Sequence, residues 1–211
     1  MKRSRTAGPT PLRRDAARTL REATRNARRL GSPHAAALAA AGEAIVRSLR
    51  AGGTVFTCGN GGSAADAQHL ACELAGRYLM DRPGLSCVAL TTNTSSLTAI
   101  ANDYGYADVF ARQLEGIARR GDVLIAFTTS GRSPSVKRAV RAARRRGLHT
   151  IAFTGPAGRA FAASCDLAIV APGASTPRIQ EGHLILLHAL CELVERALFA
   201  RAPRGRRGGG A

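Results

Sequence analysis

Five short apolar runs recur along this chain, near 53–58 (GTVFTC), 86–91 (SCVALT), 122–128 (DVLIAFT), 148–153 (LHTIAF) and 166–171 (DLAIVA). They are apolar on both faces, which suits strands of a parallel sheet covered by helices on each side. Helical patterns fill the gaps, near 63–78, 95–102, 107–119, 134–146 and 158–164. Strand–helix alternation with short connections predicts an α/β fold, a doubly wound five-stranded parallel sheet flanked by helices. Two extra N-terminal helices (about 12–29 and 34–51) precede the first strand, and a long C-terminal helix (about 177–200) follows the last. That is more cover than one sheet needs, so some outer helices are expected to pack against other subunits.

The chain has 211 residues, enough for one α/β domain with a real core. Its formal charge of +17 is concentrated at the ends: residues 1–31 hold ten Lys/Arg against two acids, and 201–211 hold four against none. We therefore expect a basic disordered leader over 1–11, a single domain over 12–200 and a disordered Arg/Gly tail over 201–211. Neither basic end contains an aromatic residue to stack on a base, so no specific nucleic-acid partner is expected. The longest apolar stretch, Leu184–Leu190, is far too short to span a bilayer and is broken by His188. No signal-peptide run is present, and no membrane partner is expected. Five cysteines, odd in number and without CxxC spacing, argue for a reducing cytoplasm.

Two loops carry the chemistry. After the first strand, residues 57–78 read TCGNGGSAADAQHLACELAGRY. Glycines let the backbone approach a ligand, and a helix expected to begin at Ser63 points unpaired N–H groups at it. After the third strand, Thr128-Thr129-Ser130-Gly131-Arg132-Ser133-Pro134 offers four hydroxyls, a glycine and another helix start. Either loop alone reads equally well as helix capping. Two at one edge of a parallel sheet suggest a sugar-phosphate site, where Arg132 is either a phosphate contact or a solvated side chain. One turn into the first of these helices, His69 and Glu73 stand at i and i+4 on one face, a spacing that serves a ligand pair or a surface pair.

The segments CGNGGSAADAQHLACEL, LTTNTSSLTAIANDYGY, TTSGRSPSV and RIQEGHLILLHALCELVE, in that order, closely resemble the phosphoheptose (sedoheptulose 7-phosphate) isomerase family of the sugar-isomerase (SIS) domain superfamily. The resemblance spans roughly residues 12–200. It implies a cytoplasmic homotetramer with one zinc ion (Zn2+) per subunit and sites near subunit interfaces. The implied reaction is the conversion of sedoheptulose 7-phosphate to D-glycero-D-manno-heptose 7-phosphate, first step towards the heptose of lipopolysaccharide and some other surface glycans. Matched motif to motif, the metal ligands fall on His69, Glu73, Gln180 and His188. Substrate contacts fall on Asn60, Gly61, Gly62, Asn102, Asp103, Thr128, Thr129, Ser130 and Ser133, with Glu73 and Gln180 shared. The family's usual STSGNSPN loop carries Thr128, Arg132 and Ser135 here in place of its first Ser and its two Asn.

The residue types suit that chemistry. Aldose–ketose isomerisation through an enediol needs a base over C1 and C2 and a group that shuttles the hydroxyl proton. Glu73 is the candidate catalytic base and His188 its partner acid; zinc with nitrogen and oxygen ligands would be the electrophile. Other residues have simpler expectations: Asp66 as a helix-start acid or a partner to a ligand, Asn102-Asp103-Tyr104-Gly105 as a turn, and Glu181, Glu192 and Glu195 as exposed helix acids. Gln180 and His188 lie eight residues apart, ~12 Å on a continuous helix. Either Gln180 occupies an irregular first turn, or the site draws ligands from more than one subunit. The alternative function is a non-catalytic SIS-domain protein that binds a partner, of the replication-initiator-associating type; that class lacks the carboxylate and imidazole which Glu73 and His188 supply.

Overall fold

The structure, a computed structural model, describes residues 10–200. The expected basic leader and Arg/Gly tail lie outside these residues, except that the first helix already begins at Pro11. Helices α1 (Pro11–Ala27) and α2 (Ser32–Arg50) lead into β1 (Val55–Cys58) and α3 (Gly62–Ala75). Then come β2 (Cys87–Ala89), α4 (Thr94–Tyr104), a 3-10 turn (Tyr106–Asp108) and α5 (Ala111–Ile117). The second half runs β3 (Val123–Thr128), α6 (Pro134–Arg146), β4 (His149–Thr154), α7 (Arg159–Ala162), β5 (Leu167–Val170) and α8 (Thr176–Phe199). All five strands are parallel, in the order β2-β1-β3-β4-β5.

That order has a functional consequence. Chain direction across the sheet reverses between β1 and β3, which pair from Val55 opposite Val123 to Cys58 opposite Ala126. At such a switch point neighbouring loops diverge to opposite faces and leave a crevice beyond the strand carboxyl ends. The two loops singled out by sequence are the ones that flank it.

Alternate strand residues build two cores. Val55, Ile125, Phe127, Ile151 and Phe153 face α2, α3 and α8, where Leu70, Leu74, Leu187 and Val194 meet them. Phe56, Leu124, Ala126 and Ala152 face the other layer, against Leu114 of α5 and Val136 and Val140 of α6. No helix among the described residues is long and apolar enough to cross a membrane.

Several local expectations change. The segment expected as one helix over 107–119 splits into the 3-10 turn and α5. Asn102 to Tyr104 form the last turn of α4 rather than a free turn, and Gly105 at φ 88° ends it. Helix α3 starts at Gly62 and not at Ser63; its cap is Gly61 at φ 57°, with no side-chain capping bond. It also ends at Ala75, because the following segment is claimed by α8. Glu195, expected to be exposed, is 1 % exposed and accepts hydrogen bonds from the main-chain N–H groups of Tyr78, Leu79 and Met80 and from Arg82 Nε at 2.8 Å. Arg82 spends its remaining donors on the carbonyls of Glu73, Leu74, Gly76 and Pro83. Long-range hydrogen bonds of this kind leave no trace in local periodicity.

Candidate active site

Between the β1 and β3 loops lies a cavity of about 560 Å³. Asn60, Gly61, Gly62 and Ser63 form one wall and Thr128 to Ser130 with Arg132 and Ser133 the other. Gln180, from α8, closes the side. The wall carries one cation, Arg132, and no carboxylate, so its electrostatics favour an anion. The N-termini of α3 and α6 both open onto it and add main-chain donors and a favourable dipole field.

Asn60 joins the two walls. Its amide donates to Ser133 Oγ at 2.6 Å and to Ser135 Oγ at 3.0 Å, while its oxygen accepts from the Tyr106 hydroxyl at 2.9 Å. Thr128 Oγ1 accepts from Gly131 N–H, which folds the second loop into its cradle. Gly62 is needed for a different reason from Gly61: a Cβ there would overlap the side-chain amide of Gln180. Neither Tyr106 nor Ser135 was among the site residues expected from sequence, since only the folded loops bring them to Asn60.

A second group lies two turns further along α3. His69 Nε2 is 3.1 Å from Glu73 Oε1 and 3.0 Å from His188 Nε2 of α8. These three donor atoms all fall within 4.8 Å of one another, and each residue is partly exposed. Tetrahedral zinc with bonds near 2.0–2.1 Å separates its ligand atoms by about 3.4 Å. Two imidazole nitrogens and a carboxylate oxygen, with His69 at 3.0–3.1 Å from the other two and all three within 4.8 Å, fit such an ion with small adjustments. Tyr78, in the segment after α3, places its ring 5.8 Å from that of His188 and tilted 32° to it. Burial, then the charges of Cys191 and the neighbouring glutamates, push the Tyr78 phenol up.

The site residues named from sequence therefore fall into three places. Asn60, Gly61, Gly62, Thr128, Thr129, Ser130, Ser133 and Gln180 line the cavity. His69, Glu73 and His188 form the cluster. Asn102 and Asp103 belong to neither; they are bonded to each other on the last turn of α4. Gln180 sits in regular helix, with α8 continuous from Thr176 to Phe199, so the irregular first turn is excluded. It faces the cavity end of α3, at Gly62, while His188 faces His69 about 10 Å of helix rise away. Asp66 is not a helix-start acid; it is 9 % exposed and faces His183, which is fully buried, at 3.7 Å.

The model of the SIS domain family matches residues 20–155. A phosphoheptose isomerase from Bradyrhizobium sp. (strain BTAi1) is 56% identical over 155 residues, covering 74% of this chain and 78% of the relative. The chain belongs to the phosphoheptose isomerase family. Among solved members, the Neisseria gonorrhoeae enzyme superposes with a TM-score of 0.79 at 41% identity, covering 87% of this chain and 98% of that one. The Francisella tularensis enzyme gives 0.79 at 32% identity, covering 89% and 100%.

Proposed function

We propose that this protein is a sedoheptulose 7-phosphate isomerase, an aldose–ketose isomerase acting through an enediol. The observation that carries this reading is the pairing of a carboxylate-free, helix-capped cavity with a His69–Glu73–His188 cluster on the same two helices. In this role the hydroxyls of Thr128, Thr129, Ser130 and Ser133 and the first N–H groups of α3 and α6 hold the phosphate, with Arg132 adding charge. Glu73 takes the C1 proton of the ketose and returns it to C2, while His188 moves the hydroxyl proton between O1 and O2. His69, Glu73 and His188 would hold a zinc ion, with Gln180 of a neighbouring subunit as a further ligand, and the ion would supply Lewis-acid polarisation at the substrate oxygens. Asn102 and Asp103 would contact substrate from the last turn of α4, just before Tyr106, which reaches Asn60 of the cavity wall.

The active form is proposed to be a cytoplasmic homotetramer whose sites combine the cavity of one subunit with the cluster of another. Within one chain the cluster does not line the cavity, and Gln180 is too far along α8 to share an ion with His188. Leu184 and Ile185, one turn before His188, are exposed, as are Leu12 and Leu20 of α1, so apolar surface is available for subunit contact beside the cluster. One domain over 12–200 carries the activity, and the product feeds heptose precursors of lipopolysaccharide or another surface glycan.

The deciding experiment is a coupled assay of the purified protein with sedoheptulose 7-phosphate, before and after chelation and after zinc repletion. Turnover lost to the chelator and restored by zinc supports substrate, reaction and metal together; no turnover with zinc present refutes the assignment.

A further inference from the structure

Contacts along the seam between α3 and α8 come in a fixed order. Gly62 lies against Gln180 at the cavity end, Asp66 faces His183 at 3.7 Å, and His69 meets His188 at 3.0 Å. The middle contact thus separates the phosphate cavity from the His69–Glu73–His188 cluster. Its chemistry is unlike that of the surrounding core. His183 is fully buried, with its ring edge-on to Phe127 and Phe153 at 5.9 Å. Asp66 Oδ2 and both ring nitrogens of His183 are buried without a hydrogen-bond partner among the described residues. At 3.7 Å Asp66 Oδ2 and His183 Nδ1 face each other just beyond hydrogen-bond reach.

Stability is a poor account of such a pair. Apolar side chains of similar volume usually serve a core as well or better, and Phe127 and Phe153 would accept them. What a polar pair does supply is register: each member has one suitable partner, whereas apolar residues tolerate sliding. Register matters here because α8 turns about 100° per residue. Only one setting brings Gln180 to Gly62 and His188 to His69 together.

We propose that Asp66 and His183 are a positioning pair that sets the register of α8 on α3, and thereby holds Gln180 at the cavity end of α3 and His188 against His69 in the metal-binding and proton-transfer cluster. Neither residue touches substrate in this role. Asp66 acts through His69, one turn along its own helix, and His183 acts through Gln180 and His188, on either side of it. The proposal rests on the reading of that cluster given above.

The test compares wild type with Asp66→Ala, His183→Leu, the double variant, and Asp66→Asn, which keeps an acceptor for His183. Three quantities are read: zinc affinity of the metal-free protein by competition with a chromophoric chelator, kcat and KM for sedoheptulose 7-phosphate, and the thermal midpoint. Supporting groups of metal ligands typically contribute ten- to a hundredfold. We expect Asp66→Ala and His183→Leu each to weaken zinc binding about tenfold and lower kcat/KM by at least tenfold. The double variant should be no worse than the poorer single one, and Asp66→Asn should recover part of both losses. His183→Leu places an apolar side chain in an apolar surrounding, so it remains decisive if Asp66→Ala fails to fold. Normal zinc affinity and kcat in a folded His183→Leu protein, whatever its thermal midpoint, would overturn the proposal, as would additive losses in the double variant. Wild-type protein that neither binds zinc nor isomerises the sugar overturns the functional reading, and this pair's role with it.

Discussion

The two ends of the α3–α8 seam are built on opposite principles. The cavity end is made of loops: main-chain N–H groups, small hydroxyls and glycines whose placement follows from β1 and β3 being neighbours. The cluster end is made of long side chains from the middles of two helices, 119 residues apart between His69 and His188. A cradle of many weak donors can absorb substitutions such as Arg132 or Ser135. A three-residue cluster has less slack, because the proposed metal-binding and proton-transfer roles fall on the same three side chains. This contrast predicts that binding and turnover can be broken independently.

The largest effect should come from Glu73→Gln. An amide cannot accept the C1 proton, and general-base contributions are typically 10²–10⁴-fold, so kcat should fall by about that factor. Steady-state kinetics alongside circular dichroism would check it; near-normal kcat would remove Glu73 from the mechanism. Mixing this variant with Ser130→Ala subunits sharpens the comparison. If sites are shared between subunits, the reassembled mixture should exceed both parents in kcat/KM, measured well below saturation, and a simple average of the two would place each site within one chain. Alone, Ser130→Ala removes one hydrogen bond to a charged group, and KM should rise about tenfold with kcat nearly intact.

Away from both ends, Glu195→Gln tests whether the cluster depends on the segment beneath it. Breaking a buried, hydrogen-bonded ion pair costs about 3–5 kcal/mol, read as a lower denaturation midpoint. The pH dependence has a definite sign. Burial alone would raise the Glu195 carboxyl, but hydrogen bonds from Leu79, Met80 and Tyr78 N–H and from Arg82 outweigh it and hold it below the usual carboxylate range. The native state therefore binds that proton more weakly than the unfolded chain does. Stabilisation is complete above the ordinary glutamate value and is lost as pH falls through the lowered one. Acid titration of wild type should show this loss, and Glu195→Gln should lack it. The smallest effect is expected from deleting residues 1–8 and 203–211: salt-dependent adsorption should change, and kcat/KM should not.

Much of this was legible in the linear chain. Both-face apolar runs marked the five parallel strands, buried throughout in β1 and β3 and only in part in the edge strands β2 and β5, and Gly-rich or hydroxyl-rich turns marked the helix starts that line the cavity, because these signals depend on residues close in sequence. The His69–Glu73 pair belongs to the same class, since i and i+4 share a helix face in any fold. Tertiary structure decided the rest. Strand order made the two cradles one cavity. The pairing of α3 with α8 selected His188 for the cluster and buried His183 against Asp66, a choice between two histidines of one helix that family resemblance had settled and local pattern could not. It also turned Glu195 from a surface acid into an anchor for the segment that carries Tyr78. The physical reason is common to these cases: periodicity shows which residues share a face, but what a face meets depends on packing between segments more than a hundred residues apart.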